Sequence, residues 1–313
     1  MDNQQILVSI KCVAYNHEPY IRECLEGFVM QKTNFRFVAI VHDDASTDRT
    51  ADIIREYEAK YPEIIKPIYE TENQYSKKDG SLGKIMNAAI DATGAKYVAV
   101  CEGDDYWTDP YKLQKQVDFL ERHEEYSMCC HAAFVLNETE RKIDCQCENM
   151  VTREYFPDDA FPQWQIPTAS IIYNRKMIES YPVVRQKDFM AGDVVLILRC
   201  MHAGRVWGFG EKMSVYRMNP GGATSQKLTK DGLKRLCLHY EALMDSFPRI
   251  DADYCHRFIS MIYYTEFRSV IGFKNKMSAL VIACKHCPQY VLHKMLKLKI
   301  RKRDDLFYKN YGY

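Results

Sequence analysis

Five carboxylates in two short clusters are the first chemistry this sequence offers. His42-Asp43-Asp44 closes one apolar run, and Glu102-Gly103-Asp104-Asp105 closes another. Carboxylates brought together repel one another unless a cation or hydrogen-bond donors separate them. A hard divalent ion, Mn²⁺ or Mg²⁺, carrying phosphate oxygens meets that need, because such ions take carboxylate, water and phosphate ligands. Helix capping explains part of the set, since Asp44 or Ser46 suits an N-cap. It does not explain Glu102, Asp104 and Asp105 together, because the helix that follows already has Asp109. The sequence therefore favours a metal–phosphate site. The phosphate is not held by a glycine cradle: no G-x-G-x-x-G follows the first apolar run and no G-x-x-x-x-G-K-[ST] occurs anywhere, residues 15–21 reading YNHEPYI.

Strands and helices must alternate to bring those clusters together. Ile6 to Ala14, Phe35 to Val41, Ile64 to Tyr69, Tyr97 to Cys101 and Ser127 to Leu136 are apolar, β-branched-rich runs that predict strands. Between them, four segments carry apolar residues at helical spacing. One opens at Asn16 and Pro19; the next is capped around Ser46 to Asp48; Leu82 to Thr93 is stopped by Gly94; the last opens at Asp109-Pro110. Such alternation predicts an α/β fold with a doubly wound, mostly parallel sheet and ligands at the carboxyl ends of its strands. Beyond Leu136 the pattern loosens. It predicts a loop over Asn137 to Gln165, a short strand at Ala169 to Tyr173, a helix from Gly192 to His202 and a hairpin from Arg205 to Arg217. From Leu228 onward it is all helical. The predicted domains are 1–225, which would carry the chemistry, and 226–313, helical with a basic tail.

Composition narrows the class. The chain has 313 residues, 43 basic against 42 acidic, a balance that argues against a nucleic-acid partner. No apolar run approaches the roughly 18 residues needed to cross a bilayer, and MDNQQILVSI has neither the basic region nor the cleavage pattern of a signal peptide. The expectation is a soluble, cytoplasmic chain. Twelve cysteines are many, but most stand inside apolar stretches, where a thiol behaves as a small hydrophobe. Cys145 with Cys147, and Cys284 with Cys287 around His286, have the look of metal half-sites. Neither has a second pair at zinc-ribbon spacing, so ordinary reduced thiols are the reading.

Four stretches together carry a resemblance: VSIKCVAYNHEPYI, AIVHDDASTDRT, YVAVCEGDDYWTDPYKLQKQVDFLE and MAGDVVLILRCMHAG…EKMSVYRMNPGG, in order over about residues 5–225. They resemble family 2 glycosyltransferases of the GT-A fold, and the third resembles bacterial enzymes that build surface polysaccharides. The resemblance implies an inverting, metal-dependent transferase that moves a sugar from a nucleotide sugar, with UDP as the usual carrier, to a saccharide or lipid-linked saccharide. It implies that Asp43 bonds the nucleotide base, with Ala14 and Tyr15 lining that pocket. Glu102 would lie near the ribose, in place of the family's usual Asp, and Asp104 or Asp105 would bind the metal. Asp193 would be the general base. Where the family often has a histidine metal ligand, this chain has Asn219. An arginine common near Met86-Asn87 is missing, which leaves Lys84 or Arg217 for the diphosphate. Thr168 and Ser170 fall in the segment that would wall the acceptor, Trp107 would line the crevice, and Trp164 and Trp207 are candidate sugar platforms that suit a core equally well.

Elementary chemistry runs parallel to this. Glycosyl transfer from a nucleoside diphosphate needs positive charge on the departing diphosphate and one carboxylate to take the acceptor's proton. A retaining double displacement would want a second carboxylate against the sugar, and none stands out. A sugar nucleotidyltransferase would want a glycine-rich basic loop after the first strand, which YNHEPYI is not. A receiver-like signalling domain is far shorter. A degenerate module that binds nucleotide sugar without turnover is compatible with Glu102 and Asn219. In the tail, Lys294, Lys297, Lys299, Arg301, Lys302 and Arg303 interleave with apolar residues. This pattern suits a peripheral contact with the inner face of the cell membrane as well as it suits a solvated helix end.

Overall fold

The computed structural model describes residues 5–138, 146–162, 165–220, 229–269 and 271–296. Strand and helix alternate through the first half: β1 (Ile6–Ala14), α1 (Ile21–Val29), β2 (Arg36–Asp43), α2 (Thr50–Lys60), β3 (Ile65–Tyr69), α3 (Gln74–Lys77), α4 (Ser81–Thr93), β4 (Tyr97–Val100), β5 (Tyr106–Trp107), α5 (Lys112–Arg122) and β6 (Tyr126–Asn137). There follow β7 (Arg153–Tyr155), α6 (Pro157–Ala160), β8 (Ile172–Asn174), α7 (Arg175–Glu179), α8 (Gly192–Ala203), β9 (Arg205–Met218), α9 (Lys230–Ser246), α10 (Ala252–Ser269), α11 (Phe273–His286) and α12 (Pro288–Met295).

The strands form one sheet in the order β3-β2-β1-β4-β8-β6-β9-β5, with β7 paired to β9. The pairs β3–β2, β2–β1, β1–β4 and β6–β9 are parallel, and β8 runs antiparallel between β4 and β6. This is the α/β, mostly parallel architecture that the alternation predicts. Side chains alternate across the strands as a pleat requires. Phe37, Ala39 and Val41 of β2 join Ile21, Leu25 and Phe28 of α1 and Ile53, Ile54 and Tyr57 of α2 in one core. Val38 and Ile40 point the other way, onto Met86 and Ile90 of α4. Gly94 ends α4 at φ 65°, the left-handed backbone that glycine adopts without cost.

Three local expectations need correcting. Residues 205–217 are not a hairpin but most of one 14-residue strand. It stays single because β6 runs parallel beside it, and irregularities at His131/Ala132/Ala133 absorb Gly210, Glu211 and Met213. The predicted loop after Leu136 contains β7, which pairs with Trp207 and its neighbours on β9. The predicted strand at Ala169 begins later, because Thr168–Ser170 turns as a 3₁₀ segment with Ser170 N–H donating to Pro167 O.

The described residues divide into two compact units, one within 1–140, 145–182 and 196–224 and one within 183–195 and 225–313. The stretch 183–195 groups with the helices, which a cut at 225/226 omits. Within the helical unit Arg185 is bonded to Asp188, Glu241 and Asp245, and Met190 N–H donates to His239 Nδ1. These polar ties have no signature in local hydrophobic periodicity. The described cysteines are free thiols; Cys145 lies outside the described residues.

Candidate active site

The sheet order puts β1 between β2 and β4, so the two acidic clusters flank the end of β1. Ala14 is in register with Asp43, and the β4 chain continues along β1 through Cys101 N–H to Lys11 O and Gly103 N–H to Val13 O. Gly103 is required here: a Cβ at this position would sit 2.8 Å from His17 Nδ1 and 2.9 Å from Ala14 Cβ. Without that close approach the acidic loop could not lie on the end of β1.

On the β1–β2 side, two loops are stitched together. Asn16 N–H donates to Ser46 Oγ at 2.9 Å, Thr47 N–H to Asn16 Oδ1 at 2.8 Å, and Glu18 N–H to Asp48 Oδ2 at 3.0 Å. Asn16 takes φ 53° to do so, a conformation that Asn tolerates better than most residues. Tyr15 is exposed beside it. Asp43 is buried; its Oδ2 accepts from Ser46 N–H at 3.3 Å, while Oδ1 has no hydrogen-bond partner within the protein. A buried carboxylate oxygen left unpaired is costly, and it suits a ligand N–H that completes it. Asp44 has a structural task instead. Its two oxygens accept from Gln74 and Tyr75 N–H at 2.6 and 3.0 Å, so it holds the start of α3 rather than capping α2.

On the β4–β9 side the polar groups are mutually engaged. Asp105 is buried and accepts from Arg217 N–H at 2.8 Å. Burial, and then the neighbouring Asp104, push its carboxyl well above the usual range. The Arg217 guanidinium donates to Asp104 O at 3.0 Å and pairs with Glu138 and Glu23. It also lies over the rings of Tyr20 and Tyr106 at 4.7 and 5.5 Å. Asn219 Nδ2 donates to Asp104 Oδ2 at 2.8 Å. Asp104 and Asn219, 115 positions apart, are thus brought into direct contact. Glu102 is exposed, as is Lys84 on α4.

Whether these residues suit a divalent cation is decided by their donor set. Among the described residues no three His, Cys, Asp or Glu side chains gather at metal-binding spacing. What stands at this corner is one half-buried carboxylate and one side-chain amide in contact, with Glu102 exposed nearby in the chain. That hard, sparse oxygen set suits an ion that keeps waters and takes most of its ligands from phosphate.

Several expected site residues have other places. Trp107 is a core residue: its ring is buried, packs edge-on to Phe28, and donates from Nε1 to Ala169 O at 2.8 Å. It cannot line a crevice, because its large apolar ring is spent filling the space under α1. Trp207 stacks on Phe119 within the same unit, and Trp164 lies outside the described residues. Ser170 is fully buried with its hydroxyl on Pro167 O, and Thr168 is buried beside it. Asp193 stands in the first turn of α8, in the stretch that belongs to the helical unit.

Two residues near the sheet ends escape the sequence reading. Lys11 interrupts the apolar run of β1, and burial lowers its pKa against the opposing pull of Glu102. A charged residue inside VSIKCV was the available signal. His17 has a buried Nδ1 without a partner beside Gly103. Burial lowers its pKa, opposed by Asp104 and Asp48. Nothing local distinguished it from a loop histidine.

Fold and motifs agree with the comparisons. The model of the family described as "Glycosyl transferase family 2" matches residues 9–180, and the chain belongs to that family. An uncharacterised protein of Mycobacterium tuberculosis is 38% identical over 218 residues, which is 69% of this chain and 60% of the relative. The chain thus matches well under two thirds of that relative's length. The candidate teichuronic acid biosynthesis glycosyltransferase TuaG of Bacillus subtilis is 26% identical over 72% of this chain and 85% of its own. Among solved structures, S. aureus TarS 1-349 in complex with UDP superposes with a TM-score of 0.60 at 16% identity, over 98% of this chain and 89% of that one. The mannosyltransferase PcManGT of Pyrobaculum calidifontis, in complex with GDP-Man and Mn²⁺, gives 0.56 at 17% identity, over 99% and 85%. These two likenesses concern the fold.

Proposed function

We propose that this chain is an inverting glycosyltransferase that takes a sugar from a nucleoside diphosphate sugar, with uracil as the base, and passes it to a saccharide or lipid-linked saccharide in surface-polysaccharide synthesis. The observation that carries the reading is the pairing of a buried, half-satisfied Asp43 at the end of β2 with the Asp104–Asn219 contact beyond β4. The first can complete itself on a base N–H, and the second suits the diphosphate end of the same ligand. Family membership supports the transfer. TarS with UDP supports the donor class, and TuaG supports the acceptor class.

In this reading Ala14 and Tyr15 border the base, Asp43 bonds it, and Glu102 lies toward the ribose. Asp104, with Asn219 through its amide oxygen, would hold Mn²⁺ or Mg²⁺; PcManGT supports use of such an ion. The ion supplies positive charge that offsets the charge growing on the departing diphosphate. Asp105, buried and bonded to the Arg217 N–H, positions Asp104 rather than binding. Arg217 fixes the same loop through Asp104 O and adds positive charge, and Lys84 is the second cation for the diphosphate. Asp193 accepts the proton of the acceptor hydroxyl as its oxygen bonds the anomeric carbon and the carbon–phosphate-oxygen bond breaks. Thr168 borders the acceptor, with Ser170 behind it. The basic tail, 297–313, lies outside the described residues, and its contact with the inner membrane face is part of the proposal.

The test is thermal stability against a panel of nucleoside diphosphates, each with and without Mn²⁺. Saturation at ~100 times the dissociation constant adds about 2.7 kcal/mol. Stabilisation by UDP that requires metal is the expected result. Stabilisation by another nucleotide keeps the enzyme class and overturns the uracil assignment. Nucleotide binding without transfer to any acceptor favours a degenerate binding module, and no response to any nucleotide sinks the proposal.

A further inference from the structure

The helical unit carries a helix with small residues buried and a stripe of large ones exposed. In α11 the buried residues are Ala279 and Ala283, with Leu280 and Ile282 half-buried, while three large apolar side chains face solvent: Phe273 is 81% exposed, Met277 39% and Val281 62%. These three recur every four residues and so form one stripe along the helix. Small residues inside are explained by a close approach of α10, where Ser260 Oγ donates to Ala283 O at 2.9 Å and to Cys287 O at 3.2 Å. Among the described residues, none covers the large side chains outside. Single exposed apolar side chains are ordinary, but a continuous stripe on one helix marks a surface that is covered in use.

The flanks say what covers it. At 3.6 residues per turn, Lys274 and Lys285 border one edge of the stripe and Lys276 the other. The described residues of α11 include no acidic side chain at all. Beyond it, Leu292 and Met295 of α12 are exposed, as is Leu296, the residue that ends it, and the sequence runs on into Lys297, Lys299, Arg301, Lys302 and Arg303. An apolar stripe whose charged flanks are all cationic is the pattern of a helix lying in the plane of an anionic interface. No helix among the described residues is long and apolar enough to span a membrane.

We infer that the outer face of α11, continued by the exposed residues of α12, docks on an anionic lipid bilayer. The inference deepens the membrane part of the proposed function, moving the contact from the tail's charges alone to a folded apolar face. It does not rest on the donor or the reaction.

The experiment is cosedimentation of the full chain with vesicles of phosphatidylcholine alone or mixed with phosphatidylglycerol. The expected result is binding to the mixed vesicles that falls roughly tenfold or more in the double variant Phe273→Ser/Val281→Ser. Because both side chains are exposed, melting temperature and nucleotide-induced stabilisation should not move, which keeps failure here separate from failure of the transferase reading. A charge-reversed tail, Lys299→Glu/Arg301→Glu/Arg303→Glu, is the control. Loss of binding with this variant but not with the double variant returns the contact to the tail and overturns the inference. No binding to either vesicle also overturns it, as does a concentration-dependent dimer in ultracentrifugation that the double variant abolishes, since the face then belongs to a second copy.

Discussion

The two sides of the candidate site are built on opposite principles. Between β1 and β2, short loops are stitched by local hydrogen bonds, and one buried oxygen, Asp43 Oδ1, is left without a partner. Between β4 and β9, residues more than 100 positions apart hydrogen-bond each other: Asp105 with Arg217 N–H, Asp104 with Asn219. The first side is open to complete a ligand's hydrogen bonding. The second already has a folding role, so charge placed there by a ligand must replace existing partners. In the proposed reading, such a site recognises a base by unmet hydrogen bonding and handles a diphosphate by exchange.

That contrast can be broken by substitution. The largest effect expected is on turnover. Asp104→Asn should lower transfer by about 10³-fold or more, with loss of the metal-dependent part of nucleotide affinity. Asp193→Asn should lower transfer by about 10²–10⁴-fold while UDP affinity stays within a factor of about two. Donor-consumption assays beside calorimetric titration separate the two; equal loss of affinity in both variants would refute the division of roles. On the other side, Asp43→Asn should weaken UDP by about 10–100-fold, since it removes a charged hydrogen bond, and leave the metal requirement intact. A metal requirement that vanished with it would show that the two sides are one.

The smallest expected effect concerns the core beside Trp107. Lys112 is fully buried, its Nζ has no hydrogen-bond partner and stands 4.1 Å from the centre of the Trp107 ring. Burial lowers its pKa to about 7. Because the folded state binds the proton less tightly than the unfolded chain, Lys112 costs stability as pH falls from 10.5 towards about 7. Lys112→Met should therefore stabilise the fold at neutral pH by at least about 1 kcal/mol, with the gain shrinking as pH rises towards 10.5. Urea melts at neutral and alkaline pH measure this directly, and an equal gain at both would rule out titration as the cause.

The legible half of the molecule is the half built from local rules. The strands β1 to β4 and their helices follow from hydrophobic period and from Gly94, because each element needs only its own spacing and the next one's face. Asp43, Asp104 and Asn219 were singled out from motif alone, and the fold brings the last two into contact. Trp107 is illegible in the sequence for a physical reason: its neighbours in sequence are acidic and polar, but its ring packs in the core against Phe28. The hairpin assigned to 205–217 failed likewise. The partner of Gly208, Cys130 on β6, is 78 residues away, and nothing local in the sequence shows it.

By itself the sequence determined the alternating α/β order, the family and the identity of the acids at two strand ends, since all of these depend on residue type and short spacing. Only the tertiary structure decided which acid does what. It gave Asp44 to α3 and buried Asp105 against Arg217, left one oxygen of Asp43 unpaired, and turned the large residues of α11 outward. A carboxylate's role is set by the donors and the burial around it, and those come from chain segments far away in sequence.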